Sequence, residues 1–133
     1  MQFTQLETQV TKENLNTMVV NFYTTILEDD NDVANEFKKH LGDDLQSAHW
    51  QEHLEILTNF WYKQYTGDES VYNGNPLQAH FGMPLNHAMF RIWLAYFCKT
   101  VDEIYTPAIA MFFKNKANDI ANNFMRILLN KDK

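Results

Sequence analysis

Cysteine, glycine, proline and clustered positive charge are all scarce in this chain. Of 133 residues, 1 is cysteine, 4 are glycine and 3 are proline. The single cysteine, Cys98, excludes an intrachain disulfide and suits a reducing compartment. It reads as a small buried apolar residue rather than a reactive thiol. Lys and Arg total 11 against 17 Asp and Glu, giving a formal charge of −6. Without a basic cluster the chain lacks the electrostatic footprint that holds phosphate backbones, which argues against nucleic acid. No apolar run nears the roughly 20 residues a membrane span needs; IYTPAIAMFF is well short. The opening MQFTQLETQV has neither the basic start nor the apolar run of a secretory signal. These absences lead us to expect a single soluble domain over residues 1–133, located in the cytoplasm.

Apolar side chains are plentiful. Hydrophobic residues make up 45% of the chain, with 10 Phe, 6 Tyr and 3 Trp. A chain of this length can bury about two-thirds of its unfolded surface, enough for a core without staples. Four stretches carry the helical period. Leu15, Met18, Val19, Phe22 and Ile26 form one stripe, with Tyr23 beside it, ending at the acidic run EDDND. DVANEFKKHLG reads as a brief helix closed by Gly42. A second long helix is expected from the Asp43/Asp44 caps to Gly67, with Trp50, His53, Leu54, Leu57, Phe60 and Trp61 on one face. A third follows Pro84, capped by Asn86, with Phe90, Trp93, Leu94, Phe97, Val101 and Ile104 as its stripe. Thr106-Pro107 opens the last helix, where Pro is tolerated at the first position; Ile109, Phe113, Ala117, Ile120, Phe124 and Leu128 face inward. No period-2 segment appears, so the class is all-α, with a short piece at 76–82 wedged between long helices.

Three polar or ring-bearing residues, Tyr23, His53 and Trp93, fall on apolar faces, and a lone histidine, His80, sits on the short piece. A buried polar tip needs a partner. Singly, each reads as a satisfied core residue; together, on four elements, they suggest a polar-tipped pocket. A competing pattern is HWQEH, His49 to His53, which matches the H-x-x-E-H zinc signature with Glu52 as general base. No later acidic ligand stands out for it. A di-iron bundle needs Glu-x-x-His twice, and the sequence offers none.

Four segments together resemble the truncated haemoglobins, specifically their third group: FY at 22–23, WQEHLEILTNFW at 50–61, YNGNPLQAH at 72–80 and FRIWLAYF at 90–97. The resemblance spans about Phe22 to Tyr105. It implies a two-on-two helical sandwich around haem b. His80 would be the iron ligand, and Tyr23, His53 and Trp93 would line the distal side. The haem-contacting residues would be Phe37, Leu57, Phe60, Trp61, Leu77, Phe81, Met83 and Phe90. Departures exist: Met83-Pro84 stands where the family usually has Leu-Pro, and NDVANEF lacks the family's Gly-Pro before Phe37. Haem chemistry agrees with the residues, because globin iron is held by a neutral imidazole. His40 and His87, near segment ends, read as surface residues, as does His49.

Three function classes follow. The first is a globin binding dioxygen, nitric oxide or carbon monoxide at a five-coordinate ferrous haem. It would handle oxygen, nitric oxide or peroxide with the help of a reductase, rather than carry oxygen in bulk. The second is a zinc hydrolase using HWQEH, and the third a cofactor-free bundle that docks a partner.

Overall fold

The computed structural model describes residues 5–72, 74, 76, 80 and 83–129. Among the described residues the helices are α1 (Lys12–Glu28), α2 (Asp32–Leu41), α3 (Ala48–Thr66), α4 (His87–Ile104) and α5 (Pro107–Leu128). α1 packs against α3, and α4 packs against α5; the two pairs meet mainly through α1 on α4. The layout is all-helical, with one helix pair layered on the other.

Each helix starts where local chemistry favours it. Thr11 accepts from the Asn14 N–H at 3.1 Å while the Asn14 side chain accepts from the Thr11 N–H at 3.0 Å, a reciprocal cap. Asn31 caps α2, accepting from the Ala34 N–H at 2.7 Å, and Asn86 caps α4, accepting from the Met89 N–H at 2.9 Å. The expected start of α3 at Asp43/Asp44 is displaced. Ser47 is the cap, and Asp44 instead closes a turn by accepting from the Gln46 N–H at 2.9 Å. α3 ends at Gly67, whose φ of +78° is a left-handed conformation that glycine adopts without a Cβ penalty. Thr106 precedes Pro107 at the start of α5, as expected.

The first stripe is buried throughout: Leu15, Met18, Val19, Phe22 and Ile26. The stripes of α3 and α4 behave differently. Trp50, Leu54, Phe60 and Trp61 are buried, but His53 and Leu57 are half-buried. On α4, Phe97 and Val101 are buried while Phe90, Trp93 and Leu94 are only partly so. Incomplete burial within an apolar stripe means that part of the face meets empty space rather than a neighbouring helix. For His53, Leu57, Phe90 and Trp93 that space is a cavity. Cys98 is half-buried rather than fully enclosed.

The segment before α1 is tied down by a network unexpected from the sequence. Glu7 pairs with Tyr105 in an isolated parallel bridge, its N–H donating to the Ile104 carbonyl at 2.7 Å. The Tyr105 hydroxyl donates to Asn14 Oδ1 at 2.7 Å, and Asn14 Nδ2 donates to the Gln9 carbonyl at 2.9 Å. Tyr105 is 1% exposed, so this bond is dry and its loss leaves acceptor capacity unmet. Tyr105→Phe should lower unfolding free energy by about 1–2 kcal/mol in urea titrations. An unchanged midpoint would show that the network does not hold the amino-terminal segment.

No helix among the described residues is long and apolar enough to cross a membrane.

Candidate functional site

A cavity of about 470 Å³ opens between the two helix pairs. That volume is typical of small-molecule and cofactor sites. Ten of the twelve residues expected at a haem site line it: Tyr23, Phe37, His53, Leu57, Phe60, Trp61, His80, Met83, Phe90 and Trp93. The other two, Leu77 and Phe81, lie outside the described residues, as does most of the short piece at 76–82.

α1 supplies Tyr23, which is 5% exposed. Its ring is fixed edge-on by Phe22 and Phe37, with centroids 4.8 and 4.9 Å away, and by Trp50 at 5.3 Å. Burial raises the phenol well above its ordinary pKa, so the hydroxyl stays protonated and can donate. Trp50 is itself anchored, its indole N–H donating to the Gly42 carbonyl at 2.8 Å. α4 supplies Trp93, stacked on Phe97 at 5.5 Å and 9°, while Phe97 stacks on Trp61 at 4.7 Å. This column fixes the plane of the indole. No hydrogen bond between described residues engages the Tyr23 hydroxyl or the Trp93 indole N–H, so both donors remain available to the cavity they line.

His53 sits among Tyr23, Phe37 and Trp50, with ring centroids 5.8, 6.1 and 5.5 Å away. Its Nε2 is buried without a hydrogen-bond partner among the described residues. An orphaned buried nitrogen costs about 1–3 kcal/mol, a penalty sites tend to keep where a ligand will meet the atom. Burial first, then His80 and then His49, lowers the ring pKa from its ordinary 6.5 to about 4. The sign follows from linkage. A lowered folded-state pKa means the unfolded chain takes the proton more readily, so stability is lost as pH falls from about 6.5 towards 4. Urea midpoints of the cofactor-free protein should drop across that window, and His53→Phe should flatten the drop. An equal slope in the variant would remove His53 from the effect.

His80 is oriented by the backbone and by a ring. Its Nδ1 lies 2.5 Å from the Pro76 carbonyl oxygen. A carbonyl only accepts, so Nδ1 carries the hydrogen and the neutral ring keeps its lone pair on Nε2. Phe124 of α5 packs 5.2 Å from the imidazole. Metal-bound histidines usually donate their second N–H in this manner, which fixes the tautomer.

These residues fit a flat, largely apolar group carrying a metal. The cavity is walled by aromatic and aliphatic side chains, and among the described residues neither Nε2 of His80 nor Nε2 of His53 has a hydrogen-bond partner. The zinc alternative finds no support: His49 and Glu52 are exposed while His53 turns inward, and no three His, Cys, Asp or Glu gather to hold a metal among the described residues.

The sequence reading missed several wall residues. Helical spacing marks Met18, Val19, Phe22 and Phe97 as core and Ile120 and Phe124 as the inner face of the last helix, yet all line the cavity. Residues on a buried stripe carry no separate sign that part of the stripe faces a void. His40 and His49 are exposed as expected, but both also line the cavity, at its solvent edge. His87 is exposed, its Nδ1 3.3 Å from Met125 Sδ.

A crystal structure of a group III truncated hemoglobin from Campylobacter jejuni superposes with a TM-score of 0.82 at 26% identity, covering 93% of this chain and 95% of that one. The all-helical fold is thus similar to that of a solved truncated hemoglobin. No family model matches the chain. The group 3 truncated hemoglobin ctb of Campylobacter jejuni is 28% identical over 120 residues, 90% of this chain and 91% of that protein. The similarity to group III truncated haemoglobins read from the sequence is thus borne out by both a curated relative and a solved structure.

Proposed function

We propose that this chain holds haem b through His80 and reversibly binds dioxygen, nitric oxide or carbon monoxide in the cavity. What supports this reading most directly is one cavity lined by both a His80 ring with its free nitrogen fixed and a His53 nitrogen left unmet. When bound, haem supplies a ferrous iron with one open coordination position for a diatomic ligand.

The chain's own groups do the rest. The Pro76 carbonyl holds the His80 tautomer and so keeps Nε2 basic. Leu57, Phe60, Trp61 and Phe90 exclude water from the apolar wall, and Phe37 packs beside Tyr23. Tyr23 O–H and Trp93 N–H offer hydrogen bonds where a ligand gains negative charge, which slows release of dioxygen more than that of carbon monoxide. Slow release suits chemistry on nitric oxide or peroxide in the cytoplasm, served by a reductase, better than bulk carriage.

The cysteine count supports haem b, which carries no thioether links: the sequence has Cys98 alone and no C-x-x-C-H attachment motif. Acid–ketone extraction should therefore remove all pigment, and a pyridine haemochrome spectrum of the extract should be that of haem b at one per chain. Pigment that stays with the polypeptide, or none at all, would refute the assignment.

A further inference from the structure

Haem carries two propionate carboxylates, and burying the macrocycle leaves these charges needing water or partners at the cavity's edge. No Lys or Arg lines this cavity among the described residues. Its nitrogen-bearing lining side chains are His40, His49, His53 and His80, besides Trp61 and Trp93. His80 is turned by Pro76, and His53 is enclosed by three rings. His40 and His49 remain, and they differ from the other two in being exposed while still lining the cavity. They arrive from separate elements, His40 from the last turn of α2 and His49 from the first turn of α3.

One acid shares this edge. Glu36 lines the cavity with its side chain only 14% exposed. Its carboxylate is already engaged, with Oε2 2.9 Å from His40 Nε2 and Oε1 3.5 Å from Lys39 Nζ. That contact takes the hydrogen on Nε2, so Nδ1 can donate to a second carboxylate only when the ring is an imidazolium with a hydrogen on each nitrogen.

We propose that His40 and His49 form the site for the haem carboxylates, a pair of imidazoles doing at the rim what Lys or Arg would otherwise do. The proposal rests on the haem reading above. In a chain of formal charge −6, a dianionic group gains little from the overall field, so local donors must hold it. Imidazole N–H groups facing carboxylates make charge-assisted hydrogen bonds, weakened here by solvent.

Cofactor-free protein loaded with either iron protoporphyrin IX or its dimethyl ester, which lacks free carboxylates, separates the outcomes. Transfer of each pigment to an excess of a haem-scavenging protein gives the rate of loss. The double variant His40→Leu/His49→Leu should lose the free acid roughly five- to tenfold faster than the parent, as two solvent-exposed ion pairs allow. Its rate for the ester should match the parent's. His49→Arg, which restores a donor of fixed charge, should retain the free acid at least as long as the parent. Parent-like loss of the free acid from the double variant would overturn the proposal, as would equal acceleration for both pigments. Failure of the parent to take up either pigment would instead remove the haem reading itself.

Discussion

Tyr23→Phe should accelerate dioxygen release from the haem-loaded protein by roughly tenfold to a hundredfold, and Trp93→Phe by a comparable factor. The size follows from hydrogen bonds to a charged partner, each contributing about 1.5–3 kcal/mol, where about 1.4 kcal/mol is a factor of ten. The cavity sits near the upper part of that range because its walls exclude water and no protein group competes for either donor among the described residues. Both rings are held in place independently of their polar atoms, Tyr23 by Phe22, Phe37 and Trp50 and Trp93 by Phe97. Removing the hydroxyl therefore leaves the ring where it is, and the change in rate reads the donor alone. Carbon monoxide gains less charge, so its release should change far less. Stopped-flow displacement of each gas gives both numbers. Unchanged dioxygen release in both variants would exclude a donor role for either residue.

His80→Leu has the second large effect. At metal sites, altering even the groups that orient a ligand costs about 10–100-fold in affinity, so deleting the ligand itself should cost more than about a hundredfold. The fold should survive, because His80 is only half-buried and its neighbour Phe124 packs against Phe90 of α4 in any case. Pigment would then be lost during purification, or retained with a plainly altered spectrum, while circular dichroism keeps its helical signal. A variant that matches the parent in pigment and spectrum would place the iron elsewhere.

Much of this arrangement was legible in the amino-acid order, for reasons that particular residues make clear. Helical spacing alone puts Leu15, Met18, Val19, Phe22 and Ile26 on one face, and that face is buried. The same spacing placed Trp50, His53 and Leu57 together, but could not say that His53 and Leu57 front a void while Trp50 is sealed behind Gly42. The resemblance to truncated haemoglobins carried that information instead, and ten of the twelve residues it implies line the cavity. The start of α3 was misplaced because Asp43, Asp44 and Ser47 are all competent caps, and only the turn closed by Asp44 decides among them. The link from Tyr105 to Asn14 spans 91 residues and had no local signature. The edge formed by His40 and His49 escaped for the same reason: two unremarkable surface histidines become a pair only when the end of α2 and the start of α3 meet at one opening.

The most direct test of the central claim is the iron–imidazole stretching band in the resonance Raman spectrum of the ferrous, ligand-free protein. The parent should show the band, and it should shift when the histidines are labelled with heavy nitrogen. His80→Gly should lack it and recover it when free imidazole is added. A band that persists in His80→Gly without imidazole, or a parent with no such band, would contradict ligation through residue 80.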